Sequence, residues 1–336
     1  MNKEERIVKD EIQILLNHLG NKIEISFPLY EMNLLEARAN DIGYNIRITA
    51  KRDLFDDELA LYGDNKVELP NFHDYFLCLI HSGIVHYSNI EQFISRASSY
   101  GQMKKGACFG LDTNLLYHGF PLNSHIDAQK FIIIDTVQSE IESSINYKYS
   151  PQEITDLKRC ARFQKHLLDE LINAKTKRAR RATYLALRQF RAIRDRAQTI
   201  PALEKSTSDK EANDLIIVKT LRKFEEDKFS LPVMLTADQN LATLCDAQGL
   251  EHFLFEIPYE INEKKCTPAK MVSLIFNLAT VFGFIQCNSV NIFGEFRGKG
   301  TNLDELKLEF LNERIYDRFF QDLKICRRLM KLGIAQ

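Results

Sequence analysis

The first hundred residues alternate short apolar and polar stretches without settling into one period. Ile7, Ile12, Leu15 and Leu16 recur at helical spacing and predict an opening amphipathic helix. Lys22–Phe27 and Tyr44–Thr49 read as strands, and Phe72–Ile80 as a later helix. From Gly106 the texture changes to brief, continuous apolar runs: Ala107–Leu111, Phe131–Ile134, Val233–Leu235 and His252–Ile257. Helical segments link them, Val137–Tyr147, Asp214–Lys228 and Asn240–Gln248, the last with Gly249 as its C-terminal stop. Such runs, buried on both faces and alternating with helices, predict a parallel sheet in an α/β domain.

Residues 151–205 interrupt this pattern as an insertion of two long helices. Pro151 opens the first, with Leu157, Ala161, Leu168, Leu171 and Ile172 on its apolar positions. In the second, a spacing of 100° per residue puts Ala179, Ala182, Ala186, Phe190 and Ile193 on one face and Lys177, Arg180, Arg181, Tyr184, Arg188 and Arg191 on the other. Thr267 and Pro268 read as the N-cap and first position of a buried core helix through the apolar stretch Met271–Ile285, too short to cross a bilayer. A strand-like Ser289–Phe296, a Gly298-Lys299-Gly300 turn and a basic helix ending at Lys324–Leu332 complete the chain. The linear division is therefore an N-terminal mixed α/β region 1–105, a split α/β domain 106–258 with a helical arm, and a C-terminal α+β region 259–336.

Composition changes this picture in two places. Seven cysteines, an odd number with no pair two to four residues apart, argue against a zinc ribbon or a disulfide framework and suit a reducing cytoplasm. The N-terminus lacks an export signal, and no membrane association is expected. The net charge of −1 predicts no partner by itself, but Asp156–Lys205 holds fourteen Lys or Arg residues against five acids. With the stripe on the second helix, that excess predicts contact with a polyanion backbone; the plainer reading is a solvated helix face.

Four acids fall where strands of the α/β domain end or the next helices begin. Asp112 follows Ala107–Leu111, Glu140 is placed in the first turn after Phe131–Ile134, Asp214 opens a helix over Leu215–Glu226, and Asp238 follows Val233–Leu235. The carboxyl ends of the strands form the binding crevice of an open parallel sheet, so the four can converge. Crowded carboxylates stay ionised most readily around a hard cation, Mg²⁺ or Mn²⁺, and such a site hydrolyses phosphodiesters without a protein nucleophile. That agrees with the lack of a Gly-x-Ser-x-Gly elbow.

Phe109-Gly110-Leu111-Asp112-Thr113-Asn114, Val137-x-x-Glu140, Asn213-Asp214-Leu215-Ile216-Ile217 and Met234-Leu235-Thr236-Ala237-Asp238-Gln239-Asn240-Leu241 resemble, in order, the four acidic motifs of the PIN-domain nucleases. The resemblance covers roughly 106–258 without the insertion. It implies a three-layer α/β/α fold with a central parallel sheet, metal ligation and catalysis by Asp112, Glu140, Asp214 and Asp238, and supporting hydrogen bonds from Asn114 and Thr236. It also implies RNA as substrate and allows a homodimer.

Asp209 competes with Asp214, Glu142 with Glu140, and Asp135 is a further strand-end acid. Each acid alone could equally be an N-cap or a dipole-complementing carboxylate. Alternative functions are an RNA-binding scaffold without turnover and a structure-specific DNA nuclease of related fold. A haloacid-dehalogenase-like phosphatase would want an acid where Asn114 stands. His81 and His86, five apart, do not form a helical metal pair. Gly298-Lys299-Gly300-Thr301 lacks the spacing of a phosphate loop.

Overall fold

A computed structural model describes residues 3–100, 105–143, 148–172, 176–205, 207, 209–259, 261, 264–295 and 303–334, without the side chains of Gln138, Glu142 and Ser143. The chain divides into two compact units: Val85–Ile145 with Thr183–Ile261, and Met1–Ile84 with Asn146–Ala182 and Asn262–Gln336. Residues up to Ile84 and from Asn262 onward thus fall in one unit, whereas the stretch from Val85 to 105 falls with the parallel sheet.

The first of these units is built on a five-stranded parallel sheet, ordered Gln198–Ile200, Phe131–Ile134, Gly106–Leu111, Ser230–Thr236, His252–Leu254. Counted along the chain this is the order 3-2-1-4-5. The strand order reverses beside the central strand Gly106–Leu111, which creates a crevice at the carboxyl ends. Phe131–Ile134 is buried along its length, and Phe109–Leu111 and Pro232–Thr236 are buried towards the carboxyl ends of their strands, in keeping with their apolar runs. Gly110 has a packing reason: a Cβ there would lie 2.6 Å from Leu221 Cδ1. Its absence lets the helix Lys210–Asp227 press close to the strand. Tyr87, Phe93, Phe120, Phe253 and Phe255 form one aromatic cluster with Phe109, which is why residues 85–100 belong to this unit.

The insertion differs from two long helices. Pro151–Cys160 is helical, capped by Ser150, but Lys165–Leu171 winds as a 3₁₀ segment after Gln164 turns to φ 40°. Arg178–Ile193 follows, and then Gln198–Ile200 adds an edge strand to the parallel sheet.

The other unit is an eight-stranded antiparallel sheet: Lys3–Val8, Glu305–Phe310, Val290–Gly294, Phe284–Cys287, Lys22–Phe27, Met32–Asn40, Gly43–Ile48 and Lys265–Cys266. Segments from both ends of the chain alternate within it. Ile7 therefore lies in a strand paired across to Leu306, and the opening helix begins only at Ile12. The core helix runs Pro268–Phe282, capped by Thr267 and buried from Met271 onward. It ends earlier than the apolar run because Gly283 adopts φ 88°, after which Phe284-Ile285 enters a strand. The closing helix runs Glu313–Lys331 and ends where the sequence places it. The Gly298-Lys299-Gly300 turn lies outside the described residues.

Candidate active site

Asp112 sits at the tip of the central strand as N-cap residue of the short helix Thr113–Tyr117. It is 6 % exposed, and its Oδ2 accepts hydrogen bonds from Thr236 Oγ1 at 2.8 Å and Asn114 Nδ2 at 3.1 Å. Burial pushes its carboxyl above the usual range; Thr236 and Asn114 oppose that, and the neighbouring Asp238 charge adds to it. Thr236 ends the adjacent strand, fully buried, and its hydroxyl also accepts from the Asp238 amide at 2.9 Å. One hydroxyl thus ties the two strand-end acids together.

Asp238 caps the helix Gln239–Gln248, its Oδ1 accepting from the Asn240 amide at 2.9 Å. Its Oδ2 accepts from Lys210 Nζ at 2.7 Å. Burial would raise this carboxyl, but the Lys210 ammonium and the Asn240 and Leu241 amides outweigh it and hold it below the usual range.

Asp214 lies one turn inside the helix Lys210–Asp227 rather than at its start. The N-cap is Asp209, whose side chain accepts from the Glu211 amide and is spent there. Asp214 is 8 % exposed. Its carboxyl is pushed up to about 6, by burial first and then by Asp112, with Asp238 and Glu140 adding and Lys210 opposing. Glu140 falls in the second turn of Asp135–Ser143, not the first, and accepts from Thr113 Oγ1 at 2.8 Å. Asp135 accepts instead from the Ala202 amide, and the Glu142 side chain is outside the described residues.

Asp112, Glu140 and Asp214 line one pocket of about 490 Å³, joined by Asn114, Thr136 and Lys210. Asp238 reaches it through Lys210. Thr136 and Lys210 are among the lining residues that the sequence did not single out. Thr136 presents a buried Oγ1 with no hydrogen-bond partner. Lys210 is one helical turn before Asp214, and that i, i+4 spacing was the available signal. Among the described residues no three His, Cys, Asp or Glu side chains stand close enough to ligate one ion. The donor set still fits a hard divalent cation in kind: all oxygen, mutually repelling, with an unpartnered hydroxyl at the wall.

The basic stripe does not form as a surface. Arg181 is 3 % exposed, with Nη1 donating to Phe282 O at 2.6 Å, Nε to Thr176 O at 3.0 Å and Nη2 to Tyr149 Oη at 3.1 Å. It caps the C-terminal carbonyls of the core helix, where the dipole favours a cation. Tyr184 is buried. Lys177 pairs with Glu153 and Glu68, and the adjacent Arg178 holds Asp74 through two nitrogens at 2.6 and 2.8 Å. Arg180 and Arg188 are half-buried; of the six residues assigned to the stripe, Arg191 is the exposed one.

Residues 109–255 match the family described as PIN domain. That segment contains all four acids and most of the parallel sheet, and the match supports a PIN-domain assignment for it, a family whose members are generally nucleases. No curated protein matches the chain. One similar solved structure is "A domain of a functionally unknown protein from Methanocaldococcus jannaschii DSM 2661", 16 % identical, covering 46 % of this chain and 95 % of that one at a TM-score of 0.30. Among the described residues no helix is long and apolar enough to cross a membrane.

Proposed function

We propose that the chain is a metal-dependent endoribonuclease, cutting phosphodiester bonds at the pocket of Asp112, Glu140 and Asp214, with Asp238 beside it through Lys210. The observation that carries this is the convergence of Asp112, Glu140 and Asp214 on one pocket, with Asp238 hydrogen-bonded to its Lys210; burial and the neighbouring acids raise the Asp214 carboxyl. Such repulsion is relieved by a divalent cation. The four acids would hold Mg²⁺ or Mn²⁺, which when bound supplies an acidified water and neutralises charge on the leaving oxygen. Thr236 and Asn114 fix the orientation of Asp112. Thr136 offers an unpartnered hydroxyl to a metal water or a substrate oxygen. Lys210, hydrogen-bonded to Asp238, must release that carboxylate for it to ligate; its ammonium is then within reach of a phosphate.

RNA as substrate follows family habit. Contact with its backbone falls to Arg191 rather than to the whole stripe. Binding without turnover is the second reading, and it is favoured by Lys210, whose charge already neutralises part of the acidic cluster. The test is cleavage of labelled single-stranded RNA and matching DNA with Mn²⁺, Mg²⁺ or EDTA, wild type beside Asp112→Asn and Asp238→Asn. Metal-dependent cutting of RNA that both substitutions abolish, with RNA binding retained, is the expected result. Binding without cutting by the wild type would transfer the assignment to the scaffold, and preferential DNA cutting to a DNA nuclease.

A further inference from the structure

The antiparallel sheet presents a polar row across three neighbouring strands. Gln286 pairs directly with Ser26, and Ser26 with Asn33. A bulge between Ile25 and Ser26 sets this register, and bulges commonly re-aim side chains at binding sites. The three residues line a pocket of about 490 Å³, completed by Arg162, Phe163 and Gln164 from the link before the 3₁₀ segment.

Two features of this pocket are costly to the fold without a ligand. Asn33 Oδ1 is buried with no hydrogen-bond partner, whereas buried polar atoms are ordinarily satisfied. Four described residues other than glycine have positive φ, and three of them, Glu31, Gln164 and Asn288, line this pocket. Asn288 stands in the tight connection between Cys287 and Val290, where positive φ is ordinary. Glu31 likewise ends the 3₁₀ turn Pro28–Tyr30 in the connection between the paired residues Phe27 and Met32; no such hairpin accounts for Gln164, and backbone held in this region clusters at binding sites.

We propose that this pocket binds a single unpaired nucleobase of RNA and takes amine-bearing bases in preference to uracil. Phe163 and the Arg162 guanidinium supply faces on which a base stacks. The carboxamides of Asn33 and Gln164 pair a donor with an acceptor, as base edges do, while Gln286 donates its Nε2 to Asn288 O and keeps its Oε1 as an acceptor. Asn33 Oδ1 needs a donor, which the exocyclic amine of adenine or cytosine provides. Glu31, which also lines the pocket, accepts from amines and repels phosphate, so the base enters and the backbone stays outside; the Glu24 charge is taken up by Lys22. The proposal rests on the RNA reading of the chain and adds a recognition site on a different unit from the cutting carboxylates.

The test is equilibrium binding of AMP, CMP, UMP and ribose 5-phosphate to the full-length protein in EDTA, by calorimetry or saturation-transfer NMR. AMP and CMP should bind at least fivefold more tightly than UMP, and ribose 5-phosphate should not bind measurably. Asn33→Leu should remove the preference, and Phe163→Ala should weaken all three nucleotides. Gln164→Ala, on the exposed link, gives a further reading should Asn33→Leu fail to fold, and should lower AMP affinity several-fold. Equal binding of the three nucleotides, or a preference that survives these substitutions, overturns the proposal. Metal-dependent RNA cutting without any base preference removes the pocket and leaves the nuclease standing. Asn33-dependent AMP binding without cutting keeps the pocket and removes the nuclease.

Discussion

Arg181 separates the surface expected from the sequence from the interior found in the structure. In Arg181→Met the apolar stem is roughly kept and the guanidinium is lost. Three good hydrogen bonds go with it, to Phe282 O, Thr176 O and Tyr149 Oη. A hydrogen bond from a charged donor contributes about 1.5–3 kcal/mol, and a stranded buried acceptor costs about 1–3 kcal/mol. These terms overlap, so the expected loss is about 3–5 kcal/mol, the range for removing one member of a buried charged network. For a unit of this size that lowers the melting temperature by on the order of 10 °C. Urea unfolding followed by circular dichroism reads the loss, with RNA affinity measured well below the melting point, where it should be unchanged. A variant that melts with the wild type but binds RNA more weakly would refute the reasoning and restore the basic stripe.

Arg191→Met should do the reverse: stability within about 0.5 kcal/mol of wild type, and RNA binding weakened with a salt slope shallower by about 0.7, as one phosphate contact to a single strand predicts. Lys210→Met removes the cation hydrogen-bonded to Asp238 and should tighten Mn²⁺ binding about tenfold, or about 1.4 kcal/mol, by calorimetry; unchanged or weaker binding counts against competition between Lys210 and metal. Asp214 has a folded pKa of about 6 against an ordinary value of 3.8, so the folded state binds the extra proton between these values. In EDTA, stability should therefore rise as pH falls from 7 towards 4, and Asp214→Asn should stabilise the protein at pH 7 by on the order of 1 kcal/mol and flatten that dependence. Denaturant midpoints across this range check it, and an Asp214→Asn profile parallel to wild type rules it out.

The parallel sheet was legible because strands buried on both faces leave unbroken apolar runs, and Phe131–Ile134 and Val233–Leu235 are such runs. Asp112 and Asp238 were legible for the same reason, since each follows its strand at once. Asp214 and Glu140 were placed a turn out because helix starts are set by caps: Asp209 begins the helix ahead of the apolar positions that announce it. The opening strand was hidden because its partner is Glu305–Phe310, nearly the whole chain away, and local spacing carries no record of such pairing. The stripe failed on a different point. Angular position gives the face of a helix, but not whether that face meets water, and Arg181 turns towards helix-end carbonyls that no sequence pattern flags.

The interleaving of the two chain ends in one sheet has a consequence for biosynthesis. Val85–Ile145 and Thr183–Ile261 are all available once residue 261 has left the ribosome, so the PIN-bearing unit can finish folding first. The antiparallel unit cannot. Until Phe284–Cys287 arrives, the strand Lys22–Phe27 has no neighbour on one side and presents an open edge, and Lys3–Val8 waits still longer for Glu305–Phe310. A nascent or prematurely terminated chain therefore carries a finished PIN-like fold attached to an incomplete sheet with an open edge, a combination that suits recognition by chaperones or proteases.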